Sequence, residues 1–152
     1  HLRADEAVHV WRIVDHQELP DDRYGILLEG VCRVKIVEEL PTEPYRLAKV
    51  ESLTDQIAQD DRSSINEERE EMLRLARELA THNDMLQERV RNIENTHLHP
   101  GIIADVIASL IVKDPYARQG LLEELDVKRR IRMVNIQLKS ILSEVRNPSS
   151  DN

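Results

Sequence analysis

The hydrophobic pattern changes period part-way along the chain. Residues 8–53 carry short apolar runs and two-residue alternation, the signature of half-buried strands. Val8, Val10, Ile13 and Val14 predict a first strand and Tyr24 to Glu29 a second. Val31 to Glu38 predict a third, in which Val31, Arg33, Lys35 and Val37 alternate with Cys32, Val34, Ile36 and Glu38. Tyr45, Leu47, Lys49 and Glu51, alternating with Arg46, Ala48, Val50 and Ser52, predict a fourth. Leu19-Pro20-Asp21-Asp22-Arg23 supplies turn residues between the first two strands. Gly30 separates the second and third with no room for a loop, and reads as a bulge or a sharp bend such as a barrel corner.

Beyond residue 63 the apolar positions step by threes and fours, as on one side of a helix. Met72, Ala76, Leu79, Leu86, Val90 and Ile93 predict one helix ending near Asn95, with Asn83 inside its seam and Ser63, Ser64 or Asn66 as its cap. Pro100 suits the first turn of a second helix, to which Ile102, Ile103, Val106, Ile107, Leu110 and Ile111 give a broad apolar face. Asp114-Pro115 caps a short segment carrying Leu121, Leu122 and Leu125. Asp126 caps a last helix with an unbroken stripe of Val127, Ile131, Val134, Leu138, Ile141 and Val145, and Asn147-Pro148 stops it. The expectation is an α+β chain: a twisted sheet or partial barrel over residues 1–53, a polar linker over 54–63, and a three- to four-helix bundle over 64–152.

Composition narrows what such a chain can do. Without phenylalanine, and with one tryptophan and three tyrosines in 152 residues, the core must be built from Leu, Ile and Val, and no stacking platform for bases or flat cofactors is available. A formal charge of -8 repels polyphosphate, so nucleic acid and anionic membranes are not expected partners. The basic cluster Lys128-Arg129-Arg130 with Arg132 reads as a solvated helix face. Cys32 is the single cysteine, which excludes a disulfide framework and a thiolate metal cluster. No run approaches the roughly 20 apolar residues that span a bilayer, and no secretory leader is visible, which points to the cytoplasm.

The sequence carries no recognisable catalytic set. Gly25 and Gly30 have the spacing of a phosphate-binding loop, but Val31-Cys32 follow where Lys and Ser or Thr are required. His97 and His99, with His82 and Asp84 nearby, invite a zinc site but lack a converging third and fourth ligand. None of Ser52, Ser63, Ser64, Ser109, Ser140 and Ser143 has a nucleophile-elbow context. Neither a catalytic residue nor a cofactor or metal site is expected, and the chain by itself reads as a non-enzyme.

The run from Arg12 to Ile36, containing Leu19-Pro20-Asp21-Asp22 and Leu28-Glu29-Gly30-Val31-Cys32-Arg33-Val34, is similar to the core of the Lon protease N-terminal, substrate-binding domain family. Pro44-Tyr45-Arg46-Leu47-Ala48-Lys49-Val50-Glu51 and the later Leu121-Leu122-Glu123-Glu124-Leu125-Asp126-Val127-Lys128-Arg129-Arg130-Ile131 fit the same family. The resemblance implies a PUA-like pseudo-barrel joined to a helical bundle, and a role in recognising polypeptides for ATP-dependent proteolysis. Asp22 stands where the family's turn glycine is usual, and Trp11 where a small residue is common. The family's opening strands have no counterpart ahead of His1, and the Walker motif and Ser-Lys dyad of full-length Lon are absent. The chain is thus expected to be the recognition domain alone, or a standalone protein built from it. The expected partners are unfolded or apolar-rich polypeptides, with a self-associating or adaptor-type module as the alternative. Trp11, Tyr24, Tyr45 and Leu47 are the candidate contact residues, since binding must draw on exposed apolar surface and sheet edges.

Overall fold

Asp21 and Asp22 adopt φ of 68° and 55°. Aspartate is one of the few residues besides glycine that enters this left-handed region readily. These two, after Pro20, reverse the chain between β1 (Ala7–Leu19) and β2 (Arg23–Leu40). The computed structural model describes residues 7–58, 62–81 and 83–147. The linker residues 59–61, His82 and the expected stop at Pro148 lie outside them. β3 (Leu47–Ser52) completes an antiparallel sheet in the order β1-β2-β3.

Four strands were expected; among the described residues three form. β2 passes through Gly30 without a break, because bulges absorb the bend that the glycine suggested. The register steps from Val10↔Cys32 to Trp11↔Gly30, which leaves Val31 as an extra residue. In the same way Val14 is extra between Ile13↔Leu28 and Asp15↔Leu27, and Val37 between Ile36↔Val50 and Glu38↔Lys49. Each bulge bends its strand and increases the twist. Among the described residues the sheet is open rather than closed into a barrel.

The chain divides into two compact units, His1–Thr54 and Asp55–Asn152. The second contains α1 (Arg62–Ala80), α2 (Asp84–Glu94), α3 (Pro100–Ile111), α4 (Pro115–Glu123) and α5 (Val127–Arg146). The long first helix expected from the apolar seam is therefore two helices. Asn83 is not a seam position but the N-cap of α2: its φ is -154°, and its side chain accepts from Leu86 N at 3.1 Å. Polar caps win at such positions because they satisfy an otherwise orphaned amide. Ser63, Ser64 and Asn66 lie inside α1 rather than ahead of it.

Asp114 and Asp126 cap α4 and α5 by accepting from Ala117 N and Arg129 N. Arg118 on α4 donates to the Val112 and Ser109 carbonyls at the end of α3, at 2.6 and 3.4 Å. The core is aliphatic: Met72, Leu75, Val90, Ile103, Ile107, Val127, Ile131, Val134 and Leu138 are among its buried members. On α5 the stripe leaves the expected track in its last turns, where Leu142 is buried while Val145 is 42% exposed. A straight helix drifts by ~20° per heptad relative to a strict seven-residue repeat, so the buried face moves on by a residue. Ile102, expected in the buried face of α3, is 46% exposed.

Acidic α1 lies against basic α5. Glu68 pairs with Arg132 at 2.6 Å, Glu71 with Lys139 at 3.3 Å, and Glu78 with Arg146. Buried Asn135 donates to the Glu68 carbonyl and carboxylate. The Arg74 guanidinium, aided by Lys139, holds the Glu71 carboxyl at a pKa of about 2 against an ordinary 4.5. A depressed folded-state pKa contributes stability that is fully present above the unfolded value and is lost as pH falls through the folded one. Urea midpoints should therefore decline as the pH is lowered from about 5 towards 2, and Glu71→Gln should flatten that part of the curve.

Arg130 corrects the reading of the basic cluster as solvated. It is completely buried. Its Nη2 meets Asp55 Oδ2 at 2.7 Å and its Nη1 donates to the Glu124 carbonyl at 2.7 Å. Nε lies 3.1 Å from Asp105 Oδ1, an ion pair without hydrogen-bond alignment. Beside it, Gln56 N donates to Leu125 O and Val127 N donates to Gln56 O. Two residues of the segment read as linker, Asp55 and Gln56, are thus fixed to the start of α5.

Candidate polypeptide-binding surface

Alternation along β1 and β2, corrected for the bulges, sorts the distal hairpin into two faces. One face carries the pairs Trp11↔Gly30, Ile13↔Leu28, His16↔Ile26 and Glu18↔Tyr24. The other carries Arg12↔Glu29, joined by an ion pair at 3.9 Å, then Asp15↔Leu27, Gln17↔Gly25 and Leu19↔Arg23. The first face is the apolar one. Its five large side chains are substantially exposed: Trp11 56%, Ile13 61%, Tyr24 60%, Ile26 54% and Leu28 44%.

Aromatic and glycine chemistry shape this face. The Trp11 ring lies over Gly30, where an added Cβ would meet it at 3.4 Å. The missing side chain thus leaves a shallow seat for the indole. His9 packs edge-on against Trp11 at 6.0 Å between centroids, and His16 tilts against Tyr24 at 6.4 Å. The rings hold one another in place while leaving their outer surfaces open to solvent.

The structure brings Trp11 and Tyr24 together on this face but not Tyr45 and Leu47. Leu47 opens β3 opposite Leu40, and Tyr45 precedes it at 66% exposure. Gly30 and Leu40 are ten residues apart on β2, which corresponds to about 30 Å of strand. Ile13, Ile26 and Leu28, missed by the sequence reading, belong with Trp11 and Tyr24. Alternation alone groups Ile13 with Trp11, and Ile26 and Leu28 with Tyr24, but nothing in it reports that this face is left exposed.

Among the described residues, no group of three or more His, Cys, Asp or Glu is placed to hold a metal. His99 serves as the N-cap of α3, its Nδ1 accepting from Gly101 N at 3.2 Å. A shallow groove between α1 and α5 is lined by Arg74, Lys139, Arg146, Glu78 and Leu142. Its three cations are already held by Glu71 and Glu78. No helix among the described residues is long and apolar enough to cross a membrane.

The family model of the ATP-dependent protease La (LON) substrate-binding domain matches residues 7–140. The chain belongs to that family. Its similarity to Lon protease 2 of Myxococcus xanthus is 30% identity over 129 residues, 82% of this chain and 15% of that protein. The Lon protease of Trichlorobacter lovleyi is 32% identical over 122 residues, 78% of this chain and 14% of the relative. The chain therefore spans about 15% of the length of these Lon proteases, and what it matches is their non-catalytic substrate-binding domain, not their ATPase or protease domains. The N-terminal domain of the Mycobacterium avium complex Lon protease has the same fold, with a TM-score of 0.70 at 16% identity, covering 90% of this chain and 72% of that one. The α+β architecture is thus the Lon N-terminal type.

Proposed function

We propose that this Lon-family domain recognises unfolded, apolar-rich polypeptide through the exposed face of the β1–β2 hairpin. The observation that carries the reading is the strip of Trp11, Ile13, Tyr24, Ile26 and Leu28, all on one face and all 44–61% exposed. Contiguous exposed apolar surface beyond about a few hundred Å² marks an interaction site on a soluble protein. β1 is also an edge strand among the described residues, and an edge offers unpaired backbone groups to an extended chain. Such a partner gains main-chain hydrogen bonds from the edge and apolar contact from the face. Neither requires a particular sequence, as a receptor for many clients demands.

The test is fluorescence anisotropy with a reduced, alkylated protein that cannot refold. Binding in the micromolar range is expected. Trp11→Ala should weaken it at least about tenfold, since buried aromatic anchors contribute on the order of 2 kcal/mol. Tyr45→Ala, at the far end of β2, should change it little. Absence of binding at about 100 µM would remove the proposal. The same open edge and face favour a second reading, pairing with another copy of the chain. Light scattering separates the two: a mass that rises with concentration, without affinity for unfolded chains, supports the self-associating module.

A further inference from the structure

The apolar face has unequal ends. At the hairpin tip, residues 15–23 contain Asp15, Glu18, Asp21 and Asp22 against the single cation Arg23. Arg23 lies 3.7 Å from Asp21, so one carboxylate is offset. Glu18 sits on the apolar face itself, opposite Tyr24, one pair beyond His16↔Ile26. Asp22 occupies the turn beside it. At the other end of β2 the charges are mixed: Lys49 and Glu38 pair at 2.7 Å, and Arg46 and Glu39 at 3.1 Å.

An apolar strip that ends in unbalanced negative charge is polarised as a binding surface. Electrostatic complementarity at the rim of an apolar contact contributes to selection and orientation more than to raw affinity. Building on the polypeptide-recognition reading, we infer that this face selects extended segments in which an apolar stretch is flanked by lysine or arginine. The apolar residues lie along Trp11, Ile13, Ile26 and Leu28, and the basic residues reach Glu18 and Asp22 at the tip. Segments ending in acidic residues meet like charge there and are disfavoured.

The measurement uses the whole 152-residue chain and labelled ten-residue peptides with one alternating apolar core, flanked at both ends by lysines, glutamates or neutral glutamines. At about 20 mM salt, where screening is weak, the lysine peptide should bind roughly three- to tenfold more tightly than the glutamate peptide. At about 0.5 M salt the ratio should fall below about two. Glu18→Gln with Asp22→Asn should bring the lysine-to-glutamate affinity ratio to about one, asparagine being tolerated at the positive φ of the turn. Glu88→Gln with Glu144→Gln, the same charge change on the helical unit, should preserve the preference. Equal binding of all three peptides, or loss of preference in the helical control as well, overturns the selection while leaving polypeptide recognition standing. Failure of every peptide and of the unfolded protein to bind overturns both.

Discussion

Replacing Gly101 by alanine is expected to destabilise the helical unit by about 2–4 kcal/mol, a large effect for one added methyl group. Gly101 is the second residue of α3, where its amide donates to His99. A Cβ at this position would lie 2.5 Å from both Arg130 Nη2 and Asp55 Oδ2 and 3.2 Å from His99 Nδ1. Those first two atoms end side chains, which can usually swing away cheaply. Here they cannot, because Arg130 is completely buried and the two atoms are bonded to each other at 2.7 Å. Relieving the clash therefore means opening a buried ion pair or moving the start of α3. Urea unfolding followed by far-ultraviolet circular dichroism reads the helical unit directly. A midpoint equal to that of the parent chain would show that the pair is loose.

Arg130→Met is expected to cost about 3 kcal/mol. Removing one partner of a buried pair leaves the other with an unmatched charge, and losses of roughly 3–5 kcal/mol are typical. The lower end applies because Asp55 and Asp105 keep 29% and 34% of their side-chain surface and can still be hydrated. The Glu124 carbonyl also loses its donor. Combining the two changes discriminates their causes. If Gly101→Ala acts by striking Arg130, the double variant should be less destabilised than the two single effects added together, because the obstructing guanidinium is gone. Additive losses would assign the alanine effect to α3 alone.

These two residues also illustrate what the chain's pattern could and could not reveal. The stripe of α5 was legible, and its own spacing held the clue to Arg130. A residue three after Val127 and four before Val134 falls on the buried side, whatever its charge. The clue was outweighed by the neighbouring Lys128 and Arg129, which made the cluster look solvated. Asn83 posed the converse problem: a polar residue within an apolar seam fits either a buried position or a helix boundary, and only the cap hydrogen bond to Leu86 decides it. The turn at Pro20-Asp21-Asp22 was readable from composition because turn chemistry is local.

The proposed contact surface was readable only in part. Trp11 and Tyr24 drew attention as aromatics in a chain with few of them. Their companions Ile13, Ile26 and Leu28 resembled ordinary core residues, and no local property of theirs reports solvent exposure. Tyr45 and Leu47 carried the same kind of signal but lie far along β2 from the others. Which apolar residues share a face depends on pairing register, a relation between distant segments. One extra residue in a strand is enough to change the answer.

Val31 is that residue, and it acts as a phase shift. Tyr24, Ile26, Leu28, Val34 and Ile36 all occupy even positions and in an uninterrupted strand would share one side. The extra residue puts the first three on the open face and sends Val34 and Ile36, both 3% exposed, to the opposite one. The strand thus inverts its amphipathic polarity at one valine, without any change in composition. A one-residue insertion in β1 between Val10 and Trp11 would give Val31 a partner and remove the bulge, bringing both stripes into phase on one side and erasing the open surface while keeping every apolar side chain that forms it.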